Sequence, residues 1–327
     1  MFGVLVAGVV LTRKYMRSVA DFLAAGRTGG RYLVSVSQGM AALGAITIVA
    51  NLEMNFEAGF TMSWWGLSMG LVVTILAVSG WVIYRFRATR SLTLAEFFER
   101  RYSRRFRIFA GLIAFAAGLI NFGIFPAVGA KFFIHFTGLP VTFHLLGLPV
   151  ATYPVVMAGL LLTALYFVFA GGQVAVMITD LVQGLFSNVV FLVIPVYLLF
   201  VVDWSNVVEV LSSRPEGKSL IDPFDTGYVD TFNFWYYVIG VVGVIYGALS
   251  WQGTQGYNTS ARSAHEAKMG GVLSMWRGIP QGLLMLLVPI LIVTVMSHVS
   301  FGETAGAVMD DLVAIDGEEV RNQVRTP

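Results

Sequence analysis

The sequence predicts an all-α polytopic membrane protein, and three observations carry that expectation. It is 57% hydrophobic and only 12% charged, whereas a soluble domain carries about a quarter charged residues. Apolar runs of roughly 20 residues, the length that crosses a bilayer, recur along the chain. The cations are segregated as well: sixteen of the 21 Lys and Arg fall within 13–31, 85–107 and 262–277, and the others are Lys131, Arg214, Lys218, Arg321 and Arg325. By the positive-inside rule the first connection is expected in the cytoplasm of a multi-pass cell-membrane protein.

The spans expected are 33–56, 60–84, 108–130, 151–170, 180–202, 232–251 and 278–298. An eighth run, 2–12, is about half the length needed. A signal peptide would carry its cations before the apolar run and a small-residue cleavage site after it. Here Arg13 and Lys14 follow the run, so a truncated leading helix is expected and Met1 is read as other than the natural start. About eight transmembrane helices result, in one transmembrane domain over 1–327.

Local signals add detail. Thr93 with Glu96, and Ser263 with Glu266, read as capping boxes that start helices. The acidic segments 203–230 and 299–327 read as outer loops. With no Cys, disulfides and thiolate chemistry are excluded. The four His residues include no i,i+4 pair to hold a metal, and His135 and His144 read as interfacial rings in the connection after 108–130. A balanced net charge of +2 implies no nucleic-acid surface. No Gly-rich phosphate loop is present, and no covalent chemistry is implied, so an enzyme is not expected.

Four segments carry a resemblance. Ser18-Val-Ala-Asp21-Phe22-Leu-Ala-Ala25-Gly26-Arg27 resembles the S-x-x-D-F-x-x-A-G-R signature of the sodium/solute symporter family. Residues 93–105 resemble its T-L-P-E-F-L-E-x-R-Y-S-x-R loop, with Ala95 in place of Pro. Gly171-Gly172 through Thr179-Asp180 and Gln183-Gly184 resembles G-G-x-x-A-V-x-x-T-D-x-x-Q-G. Ala261-Arg262-Ser263 with Glu266-Ala267 and Gly270 resembles A-R-S-x-x-E-A-x-x-G.

The resemblance implies a partial leucine-transporter-like fold of two inverted five-helix repeats, with ion and solute bound where the first helix of each repeat is broken. Residues 33–202 would complete the first repeat, 232–298 would begin a truncated second, and 299–327 would be an outer loop. Span 33–56 would be core helix one. The coupling ion implied is Na⁺, held by the carbonyls of Met40 and Leu43, near the small residues Ala41, Ala42, Gly44 and Ala45. Its hydroxyl ligands would come from a later helix absent from this chain. Close packing is the alternative role for Gly39 and Gly44.

Other residues have two readings each. Asp180 is either an ionisable group on the ion path or an N-cap paired with Gln183. Thr47 stands where sugar-transporting members offer an amide, and Gly66, Val244 and Gly247 stand at later pocket positions. None of those three bonds through its side chain, which disfavours hexoses. Thr47, Gly247 and Gln252 are the solute-site candidates, although the amides near Gln252 also suit capping. Arg277 would pair with a carboxylate at the inner mouth or snorkel to headgroups. Glu53, Asn55 and Glu57 read as interfacial, and Asn121 as a helix-packing group. The function implied is Na⁺-coupled symport of a small organic solute, with a transporter-like sensor domain or an inactive remnant as alternatives.

Overall fold

The computed structural model describes residues 2–145, 147–248 and 252–316. Two compact units emerge. The residues up to Ile48 with Val73–Val189 and Ile245–Gly278 form one, and Val49–Val72, Val190–Val244 and the residues from Ile279 onward form the other.

The chain opens with α1 (Phe2–Thr12), whose last residue returns its hydroxyl to the Gly8 carbonyl at 2.7 Å. Helix α2 (Val19–Ala24) follows, capped by Ser18, whose Oγ accepts from the Asp21 N–H at 3.1 Å. Span 33–56 divides into α3 (Arg31–Ala41) and α4 (Ala45–Ala58). Span 60–84 becomes α5 (Thr61–Ser79), closely followed by α6 (Ile83–Ala88). Thr93 caps α7 (Leu94–Arg101): it accepts from the Glu96 N–H at 3.1 Å while Glu96 accepts from the Leu92 N–H at 2.8 Å. Helix α8 (Arg104–Thr137) starts at a Ser103 cap and holds His135 within its last turn. A hairpin of β1 (Thr142–Leu145) and β2 (Leu148–Ala151) replaces the expected plain connection and contains His144.

Spans 151–170 and 180–202 are not separated by a loop. Both lie in α9 (Thr152–Val201), interrupted only at Gly172, where φ is 53° and ψ is −154°. That backbone is open essentially to glycine alone, and a Cβ there would stand 3.0 Å from the Phe22 Cα. The two-residue glycine signal thus makes an elbow rather than a connection.

The segment 203–230, expected as a loop, contains α10 (Trp204–Ser212), capped by Asp203. Span 232–251 is α11 (Phe234–Gly247), with 249–251 outside the described residues. Then come α12 (Gln255–Ser260) and α13 (Ala264–Ser297). The latter extends span 278–298 backward through what had read as a cytoplasmic connection. The second acidic loop carries α14 (Gly302–Asp316).

Among the described residues four helices are long and apolar enough to span a membrane, or five when α3 and α4 count as one bent span. The difference from the eight expected spans is accounted for by α9, which carries two of them, and by the short apolar α1 and α11. The first unit has a core of Ala25, Val34, Met177, Tyr257, Ala261 and Ala267. The second has one centred on Val207, Leu211 and Ile290 and another on Ala58, Trp65 and Tyr237, whose rings stack at 5.5 Å.

Replacing Gly172 by Ala is expected to cost about 1–3 kcal/mol through backbone strain, on top of the contact with Phe22. A thermal unfolding midpoint in detergent indistinguishable from that of the unmodified chain would contradict this account of the elbow.

Candidate ion and solute site

The symporter motifs converge within the first unit. Gly29 and Ala261 form a parallel bridge: the Gly29 N–H donates to the Ser260 carbonyl at 2.8 Å, and the Arg262 N–H donates to the Gly29 carbonyl at 2.8 Å. Beside it Glu266 accepts from the Arg31 N–H at 2.7 Å and from the Arg31 guanidinium at 2.7 and 3.1 Å. Its partnership with Ser263 is therefore half a capping box. The hydroxyl accepts from the Glu266 N–H at 3.2 Å, but the carboxylate turns to Arg31 and, at 3.2 Å, to Arg262.

This junction anchors the start of α3. Eleven residues later the helix stops, and α4 leaves at 72° to it. Regular bonding lapses over Ala42, Leu43 and Gly44. The Leu43 N–H donates to the Met40 carbonyl at 3.0 Å in a tightened last turn, and the Thr47 hydroxyl donates to the Ala42 carbonyl at 3.1 Å. The Ala42 N–H turns to the same Met40 carbonyl as well as to that of Gln38. The break therefore lies where the sequence register puts Met40 and Leu43.

Asp180 lies on α9, eight residues past the elbow, and is not the N-cap that its spacing to Gln183 suggests. The helix restarts at Gln173, so Asp180 falls in its third turn. Its carboxylate accepts from the Tyr257 hydroxyl at 2.6 Å. Tyr257 is 5% exposed. One turn beyond Asp180, a Cβ on Gly184 would come 2.6 Å from Val36 Cγ1 and 3.8 Å from Met40 Cβ, so α3 and α9 meet closely beside the break. The Ser37 hydroxyl adds a bond to the Met177 carbonyl at 2.8 Å.

The remaining candidates scatter. Thr47 is at the break and engaged with it. Gly247 is the last residue of α11. Gln252 opens a short 3₁₀ turn, and its side chain is outside the described residues. Farther on, Asn258 donates to Gln255 at 3.1 Å, both buried. Asn121 bonds its own helix at the Ala117 carbonyl, 2.9 Å, rather than a neighbouring helix. In the second unit Glu53 is exposed, Asn55 donates to the Asn51 carbonyl at 2.7 Å, and Glu57 accepts from the Thr231 hydroxyl at 2.6 Å.

Arg277 lacks the carboxylate partner that one of its sequence readings expects. Among the described residues no carboxylate is within ion-pair distance, and its Nε is buried without a hydrogen-bond partner. Its guanidinium lies over Gly39, filling the space a side chain would take one residue before Met40. Sequence spacing misses both this contact and Tyr257.

No family model matches the chain. A sodium/proline symporter of Staphylococcus aureus (strain bovine RF122 / ET3-1) is 22% identical over 240 residues, which is 69% of this chain and 43% of that protein. Another sodium/proline symporter of Staphylococcus aureus is 23% identical over 217 residues, 62% of this chain and 39% of that protein. A solved structure described as the substrate-bound outward-open state of a Na⁺-coupled sialic acid symporter, with a novel Na⁺ site, superposes with a TM-score of 0.66. It is 20% identical and covers 90% of this chain and 59% of its own. The chain is similar to these Na⁺-coupled symporters. Its fold is a partial leucine-transporter-like one, and it spans about two-fifths of the length of the curated sodium/proline symporters it matches.

The Gly39 contact is directly testable. Gly39→Ala is expected to lower stability by roughly 1–3 kcal/mol through overpacking. Combining it with Arg277→Ala should recover much of that loss, since the two changes share one space. A strictly additive double variant in thermal unfolding would rule the contact out.

Proposed function

We propose that this chain provides the ion-coupled half of a Na⁺-driven symporter for a small organic solute, working by alternating access in the cell membrane. The break over Ala42–Gly44 carries the reading. In hydrocarbon, non-helical backbone persists only where it is enclosed by protein or lines a cavity, and broken helices are where transporters of this architecture bind coupling ions. In this proposal the Met40 and Leu43 carbonyls contribute to the Na⁺ site. Asp180, positioned by Tyr257, lies on the ion path. Thr47, Gly247 and Gln252 remain the proposed solute-site residues.

Residues 33–202 serve as the first repeat and 232–298 as the start of the second. The cation distribution supports a cytoplasmic first connection. The similarity to symporters of proline and of sialic acid supports a transporter rather than an enzyme. Both of those solutes are carboxylic acids, and the Arg277 guanidinium beside the break, whose Nε has no hydrogen-bond partner among the described residues, favours a carboxylate-bearing solute here too.

The test is Na⁺-dependent thermal stabilisation of the purified protein, because a ligand of the native state raises its apparent stability. Na⁺ is expected to raise the midpoint where K⁺ at equal ionic strength does not. Asp180→Asn should weaken that response at least several-fold while leaving expression intact. Loss of folding in this variant would instead assign Asp180 a purely structural role, and equal responses to Na⁺ and K⁺ would remove the ion site.

A further inference from the structure

A groove in the first unit lies outside everything described above. It has a volume of about 440 Å³ and is formed where the end of α5 meets α6 and α7. Its floor is apolar: Phe86, 1% exposed, meets Phe97 edge-on at 5.5 Å, and Val82 lies alongside. Trp81 stands at its edge, 56% exposed.

Three arginines line the groove, Arg85, Arg100 and Arg101, and no carboxylate does. Arg100 is committed, donating to Glu96 at 2.6 Å and to the Thr89 carbonyl. Arg85 and Arg101 form no ion pair or hydrogen bond among the described residues. Both are exposed, so their donors are open to a ligand.

Three features together select a ligand class. Guanidinium groups bind phosphate oxygens in a bidentate fork. An apolar floor does not suit a free inorganic anion but does suit the hydrocarbon attached to one. Trp is enriched at headgroup depth, and Ile75 and Val78, the nearest exposed large apolar residues back along α5, are 67% and 52% exposed and offer acyl chains apolar contacts. We infer that this groove binds the phosphodiester headgroup of an anionic glycerophospholipid, with Arg85 and Arg101 on the phosphate and Trp81, Phe86 and Phe97 under the glycerol and proximal acyl carbons. Basic pockets of this kind, set among transmembrane helices, bind such headgroups elsewhere.

The experiment is lipid retention by the purified chain, read by native mass spectrometry after exchange into detergent with equal phosphatidylglycerol and phosphatidylcholine. Phosphatidylglycerol should be retained about tenfold over phosphatidylcholine. Arg85→Gln with Arg101→Gln should bring the two lipids within about twofold. Arg104→Gln with Arg105→Gln, which removes the same charge outside the groove, should keep the preference. Equal retention of both lipids by the unmodified chain, or equal loss in the two double variants, would overturn the inference. Displacement of phosphatidylglycerol by millimolar inorganic phosphate would overturn the lipid assignment in favour of a free-anion site.

Discussion

One carboxylate organises the first unit. Glu266 has a side chain only 5% exposed and accepts from Arg31 through both its backbone and its guanidinium, and from Arg262 as well. A buried carboxylate is tolerated only when donors replace the water it gives up, and here each donor comes from a segment that must be held. Arg31 is the first residue of α3, and Arg262 belongs to the turn between α12 and α13. The Gly29–Ala261 bridge lies against the same group, and Arg87 adds a bond to the Ala261 carbonyl at 2.8 Å. The core of Val34, Met177, Tyr257 and Ala267 closes over it.

With its first turn held, α3 can end early. The tightened turn at Met40 and the hydroxyl of Thr47 accommodate part of the backbone polarity that an interrupted helix leaves open. The result is a stiff start that keeps position, followed by an interior stretch where regular helical bonding lapses. Asp180 lies one turn before Gly184, where α9 packs on α3, and Tyr257 fixes its carboxylate from α12.

The sequence made part of this legible and concealed the rest for physical reasons. Hydrophobic length and cation placement located nearly every apolar helix, because the bilayer imposes both. The break near Met40 was readable only through the motif resemblance, since Ala41 and Ala42 are strong helix formers by themselves. Gly171-Gly172 was read as a connection because a glycine pair does not reveal that Phe22, 150 residues earlier in the chain, packs against the elbow and lets the helix resume at once. That misplacement made Asp180 look like a cap. Tyr257, 77 residues from Asp180, and Arg277 over Gly39 are tertiary partnerships with no local signature. The hairpin at 142–151 was invisible because its strands are four residues each, too short for alternation to register.

The depth of Glu266 also determines how the junction responds to its medium. Mobile counterions attenuate exposed pairs such as Arg100–Glu96 and Arg107–Glu99, whose side chains are 51%/24% and 49%/33% exposed. Counterions do not reach a carboxylate enclosed by its own donors. The anchor of α3 is therefore less sensitive to electrolyte than the surface pairs, and a change of salt leaves the start of the broken helix in place.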